Sequence, residues 1–185
     1  MKNYRRSYPL FSLCGLNCGL CPVHLMDKGC PGCGGGDGHQ SCAIVKCSLQ
    51  HGTPEFCYEC ASFPCERYQG ITDYDSFISH KNMLVDLDKA QAIGQKAYRS
   101  ILDEKIAILQ HLLLHYNDGR KKTFFSTAVN LLELEDVKEV MAKLSSQNTD
   151  CNSLKENAAL AVSLFQEAAA RRGVVLKLRK KPKES

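Results

Sequence analysis

Ten cysteines between residues 14 and 65 constrain this chain more than any other feature of its 185 residues. Their spacing is Cys14-x3-Cys18-x2-Cys21-x8-Cys30-x2-Cys33-x8-Cys42-x4-Cys47-x9-Cys57-x2-Cys60-x4-Cys65. Three pairs, Cys18/Cys21, Cys30/Cys33 and Cys57/Cys60, have a two-residue gap, which lets one tight turn aim two sulfurs at one point. Zinc asks for four such ligands in a tetrahedron at about 2.3 Å from each sulfur. The array therefore predicts metal, on the order of two zinc ions, with all ten cysteines as candidate ligands. Iron–sulfur is the alternative, since thiolates suit both metals. Two closed four-thiolate sites leave two thiols for structural, redox or exchange duties. His24, His39 and His51 are possible substitutes for a cysteine, although turn-region histidines are more often plain surface. Cys151 stands far from the array and is expected to bind no metal.

The competing reading of so many cysteines is a disulfide framework, which needs an oxidising compartment. The beginning of the chain does not look like a secretory signal: Lys2, Arg5 and Arg6 are followed by Tyr8, Pro9, Ser12 and Asn17, which interrupt any apolar run. No stretch reaches the roughly 20 apolar residues of a membrane span. The expectation is a cytoplasmic protein with reduced thiols and no membrane partner. The formal charge of +4 counts cysteines as neutral, and metal-bound thiolates would offset it, so net charge says little about partners.

Composition changes near residue 70. Ten of the eleven cysteines and five of the six prolines precede it, whereas the remainder reads as helix almost throughout. The expected fold is mainly α: a cysteine-rich metal-binding module over residues 1–70, a bundle of about five helices over 71–173, and a short strand with a basic tail over 174–185. In the module, short helices are expected at Cys18–Met26 and Cys42–Leu49, the second capped by Ser41. Gly32–Gly38, with five glycines in seven residues, reads as a knuckle turn. The bundle helices are expected at Ser76–Ile93, Ala97–Tyr116, Thr123–Leu132, Glu135–Leu144 and Leu154–Arg172, the last closing at Gly173. Val174–Leu178 has strand character, but a lone strand must find a partner or dock as a tail. The array has little apolar bulk of its own and is expected to lean on the helices.

No catalytic constellation stands out, so enzymatic activity stays open. There is no His-Glu-x-x-His zinc signature, nucleophile elbow or phosphate loop. Cys14-x3-Cys18-x2-Cys21 has the spacing of radical enzymes that use S-adenosylmethionine, but the strand–helix repeats of those barrels are missing. Asp73, Asp75, Asp86 and Asp88 read as helix-end and solvent-facing charge. A low-pKa leftover cysteine would be a nucleophile, and the sequence does not single one out.

The segments Cys14-Gly-Leu-Asn-Cys18-Gly-Leu-Cys21-Pro22, Cys30-Pro-Gly-Cys33, Cys42-Ala-Ile-Val-Lys-Cys47, Phe56-Cys-Tyr-Glu-Cys60 and Phe63-Pro-Cys65 resemble the bacterial and archaeal family labelled domain of unknown function 3795. The resemblance covers about residues 11–70. It implies a cysteine-rich, zinc-binding domain of a prokaryote, and no reaction, substrate or partner. Three functions follow from the sequence: a metal-stabilised interaction or regulatory module with a protein partner, a redox or metal-dependent enzyme using the array, and a nucleic-acid-binding protein. The last rests on Lys177, Arg179, Lys180, Lys181 and Lys183, and lacks aromatic–basic interleaving.

Overall fold

The computed structural model describes residues 4–39, 41–147 and 153–182. The fold is mainly α: cysteine-rich turns and one short helix come first, and five longer helices follow. The helices are α1 (Ala43–Gln50), α2 (Met83–Ile93), α3 (Gln95–His115), α4 (Lys122–Leu131), α5 (Leu134–Ser146) and α6 (Leu154–Arg171). No strand occurs among the described residues. Two compact units result, residues 1–102 with 178–185, and residues 103–177. The division falls inside α3.

In the first unit, local chemistry decides which cysteine pairs become turns. Cys18–Leu20 and Cys57–Glu59 are single turns of 3-10 helix, closed by Cys21 N–H donating to Cys18 O and Cys60 N–H donating to Cys57 O, both at 3.0 Å. A third such turn spans Glu66–Tyr68. The Cys30/Cys33 pair is held differently, because Cys33 N–H donates to Pro9 O at 2.9 Å. The helix expected over Cys18–Met26 stops at Leu20. Cys21 precedes Pro22, whose ring pushes the preceding residue to extended backbone, here φ −73°, ψ 131°. Ser41 does not cap α1; Cys42 takes the N-cap position with extended backbone and no side-chain cap bond.

The turns lean on α2 and the start of α3, which supply the apolar bulk that the array lacks. Phe11, fully buried, places its ring 4.5 Å from Tyr98 and 5.3 Å from Phe56. Asn17 donates from Nδ2 to Asp86 Oδ2 at 2.9 Å. Gly15 sits at φ +94°, and a β-carbon there would run into the Met83 carbonyl, so this turn packs on α2 through bare backbone. Helix α2 begins at Met83 rather than Ser76. The Asp75 carboxylate takes the His80 N–H at 2.8 Å and the Ser79 hydroxyl at 3.2 Å, which holds residues 75–80 in a loop.

The second unit packs α4, α5 and α6 with the later part of α3. Every residue of α4 from Phe125 to Leu131 is buried. Helix α6 presents Ala158, Ala161, Ala168 and Ala169, all buried, which admits its neighbours closely, and its Phe165 meets Phe125 edge-on at 6.1 Å between centroids. Ser153 and Glu156 start α6 as a reciprocal capping box. The helix ends in a Schellman motif: Gly173 at φ +64° donates to Ala170 O and Val174 N–H donates to Ala169 O. Two buried polar contacts add specificity. Lys105 Nζ donates to Leu132 O at 2.6 Å, and Arg172 grips the buried Asp136 carboxylate with Nε and Nη2 at 2.8–3.0 Å. Beyond Gly173 the described chain forms neither helix nor strand, and half-buried Val174, Leu176 and Leu178 alternate with exposed Val175 and Lys177.

Candidate functional site: a cleft lined by thiols

The ten array cysteines are all described and all unpaired; Cys151 lies outside the described residues. They fall into two neighbourhoods. Cys14, Cys18, Cys33 and Cys42 form the first: Cys33 and Cys42 disfavour the ionisation of Cys14, Cys33 and Cys14 that of Cys18, and Cys42 that of Cys33. Cys33 is buried with Tyr4, Leu13 and Val45, against which Cys18, Cys42 and Cys57 also pack. Cys47, Cys57, Cys60 and Cys65 line one cleft. Cys30 lies close enough to Cys21 to disfavour its ionisation, after the larger effect of burial.

The expectation of metal does not hold. Among the described residues no group of three or more His, Cys, Asp or Glu side chains is arranged to hold a metal ion. Zinc and iron–sulfur, and with them a metal-stabilised module, are corrected by that finding for Cys14, Cys18, Cys21, Cys30, Cys33, Cys42, Cys47, Cys57, Cys60 and Cys65. Spacing brings sulfurs into neighbourhoods, but a metal centre needs several donors converging on a single point. Here the buried thiols serve as small apolar residues and weak hydrogen-bond partners instead. Burial pushes Cys14 up to about 12, against a contact of 3.1 Å with the Ser12 hydroxyl. Burial likewise raises Cys18, whose neighbours Cys33 and Cys14 add to the effect. Cys33 is raised by burial and drawn back by the Leu13 backbone and the Arg6 guanidinium.

Arg6 organises this end of the site. Its side chain is 1% exposed; it donates from Nη1 to Phe11 O at 2.5 Å and from Nη2 to Glu55 O at 2.8 Å. The Glu55 carboxylate lies 3.3 Å from Nη2, and the Phe56 ring lies 4.8 Å from Cζ. A desolvated cation is tolerated only with such partners. Gly34 accepts the Arg6 N–H at 3.1 Å, so the glycine-rich stretch wraps the arginine rather than forming a free knuckle.

The cleft of the second neighbourhood has a volume of about 370 Å³, including the space that opens to solvent. Helix α1 supplies Ile44, Cys47 and Ser48, and the following residues supply His51 and Pro54. The Cys57–Glu59 turn carries Cys57 and leads to Cys60, and the segment around Glu66–Tyr68 adds Phe63, Cys65, Arg67 and Tyr68. His51 follows Cys47 by four residues, one helical turn. Its Nδ1 is 2.9 Å from Cys47 O and 3.6 Å from Cys47 Sγ. A carbonyl oxygen only accepts, so Nδ1 carries the proton and its N–H also faces the sulfur. Arg67 is exposed, and hydrogen bonding and charge from Cys47 raise its pKa, holding the guanidinium cationic. Burial pushes Cys57 up to about 11, partly opposed by the Tyr68 hydroxyl. That hydroxyl is buried without a well-formed hydrogen bond, and burial raises its own pKa.

The arrangement gives one half-buried thiol, Cys47, a cation and an N–H donor, and surrounds it with three further thiols. Comparison of the chain with family models, with curated proteins and with solved structures finds no match. The helical spacing of Cys47 and His51 was a readable sign. Arg67 and Tyr68 carried none, because they reach the cleft only through the fold of the segment after Cys65.

Proposed function

We propose that the protein is a dithiol module that reacts with disulfides at Cys47. The observation that carries this reading is Cys47 Sγ lying 3.6 Å from His51 Nδ1 in a cleft shared with Arg67 and three other cysteines. The thiolate is the attacking form of a cysteine, and the Arg67 guanidinium and the His51 N–H both stand beside this sulfur. In the proposed reaction the Cys47 thiolate attacks one sulfur of a low-molecular-weight disulfide, RSSR. The S–S bond breaks, a Cys47–S–SR mixed disulfide forms, and RS⁻ leaves and takes a proton. A second cleft thiol, from Cys57, Cys60 or Cys65, gives its proton to solvent and attacks Cys47 Sγ. The bond to SR breaks and a second RSH leaves. Two protein thiols are oxidised to one disulfide, and RSSR is reduced to two RSH. Unpaired thiols throughout the described array fit a reducing compartment such as the cytoplasm.

The test is stoichiometric oxidised glutathione followed by peptide mapping. The expected product is a disulfide joining Cys47 to Cys57, Cys60 or Cys65. A mixed disulfide at Cys47 should be trapped when those three are replaced by serine, and Arg67→Ala with His51→Ala should slow its formation about tenfold or more. Reaction spread evenly over the exposed thiols, or a Cys47 rate unaffected by the double replacement, would refute the reading.

A further inference from the structure

The first unit contains a second built site, unrelated to the thiols, centred on Asp75. Its carboxylate is fully buried, with a side-chain exposure of 0%, and it is fixed from one side by the Ser79 hydroxyl and the His80 N–H. The loop carrying it is pinned in turn. His80 Nδ1 lies 3.0 Å from Ile71 O, and Nε2 lies 2.9 Å from the Ser76 hydroxyl. The other side of the carboxylate is filled by Arg179. Its guanidinium donates from Nη2 to Oδ1 at 2.8 Å and from Nε to Oδ2 at 3.2 Å. Main-chain contacts reinforce the fork: Arg179 N–H donates to Asp75 Oδ2 at 2.7 Å, and Asp75 N–H donates to Arg179 O at 2.8 Å.

This pattern reads both the side chain and the backbone of one residue. The planar fork matches the two carboxylate oxygens, which an ammonium cannot do at once. The Arg179 N–H and carbonyl are both engaged by Asp75, so the site holds the main chain of the arginine as well as its side chain. The burial is asymmetric, because the Arg179 side chain is 41% exposed while Asp75 is closed off. The Ser79 hydroxyl and the His80 N–H hold the carboxylate without help from the arginine, so the loop side of the site is fixed by its own residues. A buried carboxylate left without its cation is costly, so the site favours occupancy.

We infer that Asp75 and its loop form a binding site for an arginine within a non-helical peptide segment, and that residues 178–182 of this chain are its resident ligand. Lys180 and Lys181, both exposed beyond the arginine, give that ligand its basic character. A basic segment of similar form can exchange with the tail.

The test uses the full chain and a fluorescein-labelled peptide of residues 174–182, read by fluorescence anisotropy. The peptide should bind the Arg179→Ala protein. Binding to the wild-type chain, whose own tail holds the site, should be about tenfold weaker or less. The Arg179→Ala/Asp75→Asn protein, and a peptide with lysine at position 179, should lose binding to at least that degree. Circular dichroism establishes that each variant is folded. Should Arg179→Ala lose helix, Arg179→Lys, whose ammonium cannot bridge both oxygens, must give the same order of affinities. Equal binding to the wild-type and tail-variant proteins, or binding indifferent to Asp75→Asn, would overturn the assignment. None of these readouts depends on thiol chemistry.

Discussion

The Tyr98 hydroxyl donates to Asn17 Oδ1 at 3.0 Å across 81 positions of sequence, in a buried setting. One residue belongs to a cysteine-bearing turn and the other to the first turns of α3, so this bond ties the array to its helical support. Tyr98→Phe keeps the ring against Phe11 and removes only the donor. Loss of one buried hydrogen bond costs about 1–2 kcal/mol. Urea denaturation should show a lower midpoint with an unchanged slope.

Gly15 offers a harsher test of the same contact. Its left-handed backbone and the nearby Met83 carbonyl leave no room for a side chain. Gly15→Ala should destabilise the protein by about 2 kcal/mol or more, through strain and displacement of α2. Gly52, also left-handed but with open space around it, should cost less on replacement by alanine. If the two substitutions lower the denaturation midpoint equally, close packing at Gly15 is not the cause.

The described array was legible as a turn-rich module leaning on helices, and the five helical stretches after residue 70 were legible from their apolar periodicity. The start of α2 was not, because Asp75 captures His80 and Ser79 through a loop that no periodicity records. The metal reading failed for a related reason. Spacing announces which cysteines are neighbours along the chain, whereas convergence on an ion depends on where separate turns are placed by Phe11, Leu13 and Val45. Arg6 shows the limit plainly: it read as part of a basic start, yet it is a buried hub whose partners Phe11 and Glu55 lie up to 49 residues away.

Acid should release the tail. Burial pushes the Asp75 carboxyl up, but hydrogen bonds from Arg179 and the His80 N–H outweigh it and hold the group down to about 2. An unperturbed Asp titrates near 3.9. The stabilisation is therefore complete above about pH 4 and is lost as pH falls through about 2. The Arg179 Nε–H and backbone N–H resonances should keep their docked shifts down to about pH 3 and move together below it. A transition centred near pH 4 would mean that the arginine does not hold the carboxylate.

Alkylation kinetics should rank the thiols. Burial pushes Cys57 up to about 11 and Cys14 up to about 12, so both stay protonated thiols at pH 8. In iodoacetamide time courses followed by mass spectrometry, both should label far more slowly in the native protein than in the urea-unfolded chain, and buried Cys14 after half-buried Cys57. Early labelling of Cys14 in the native protein would contradict its burial.

The first unit is discontinuous in sequence: Asp75 is made early and Arg179 a hundred and four residues later. During synthesis, the Asp75 loop is made before α2 through α6, so its carboxylate has no Arg179 from its own chain until those helices have been translated. The order of translation thus gives this protein a period of exposure to intermolecular tail exchange that a contiguous unit would not have.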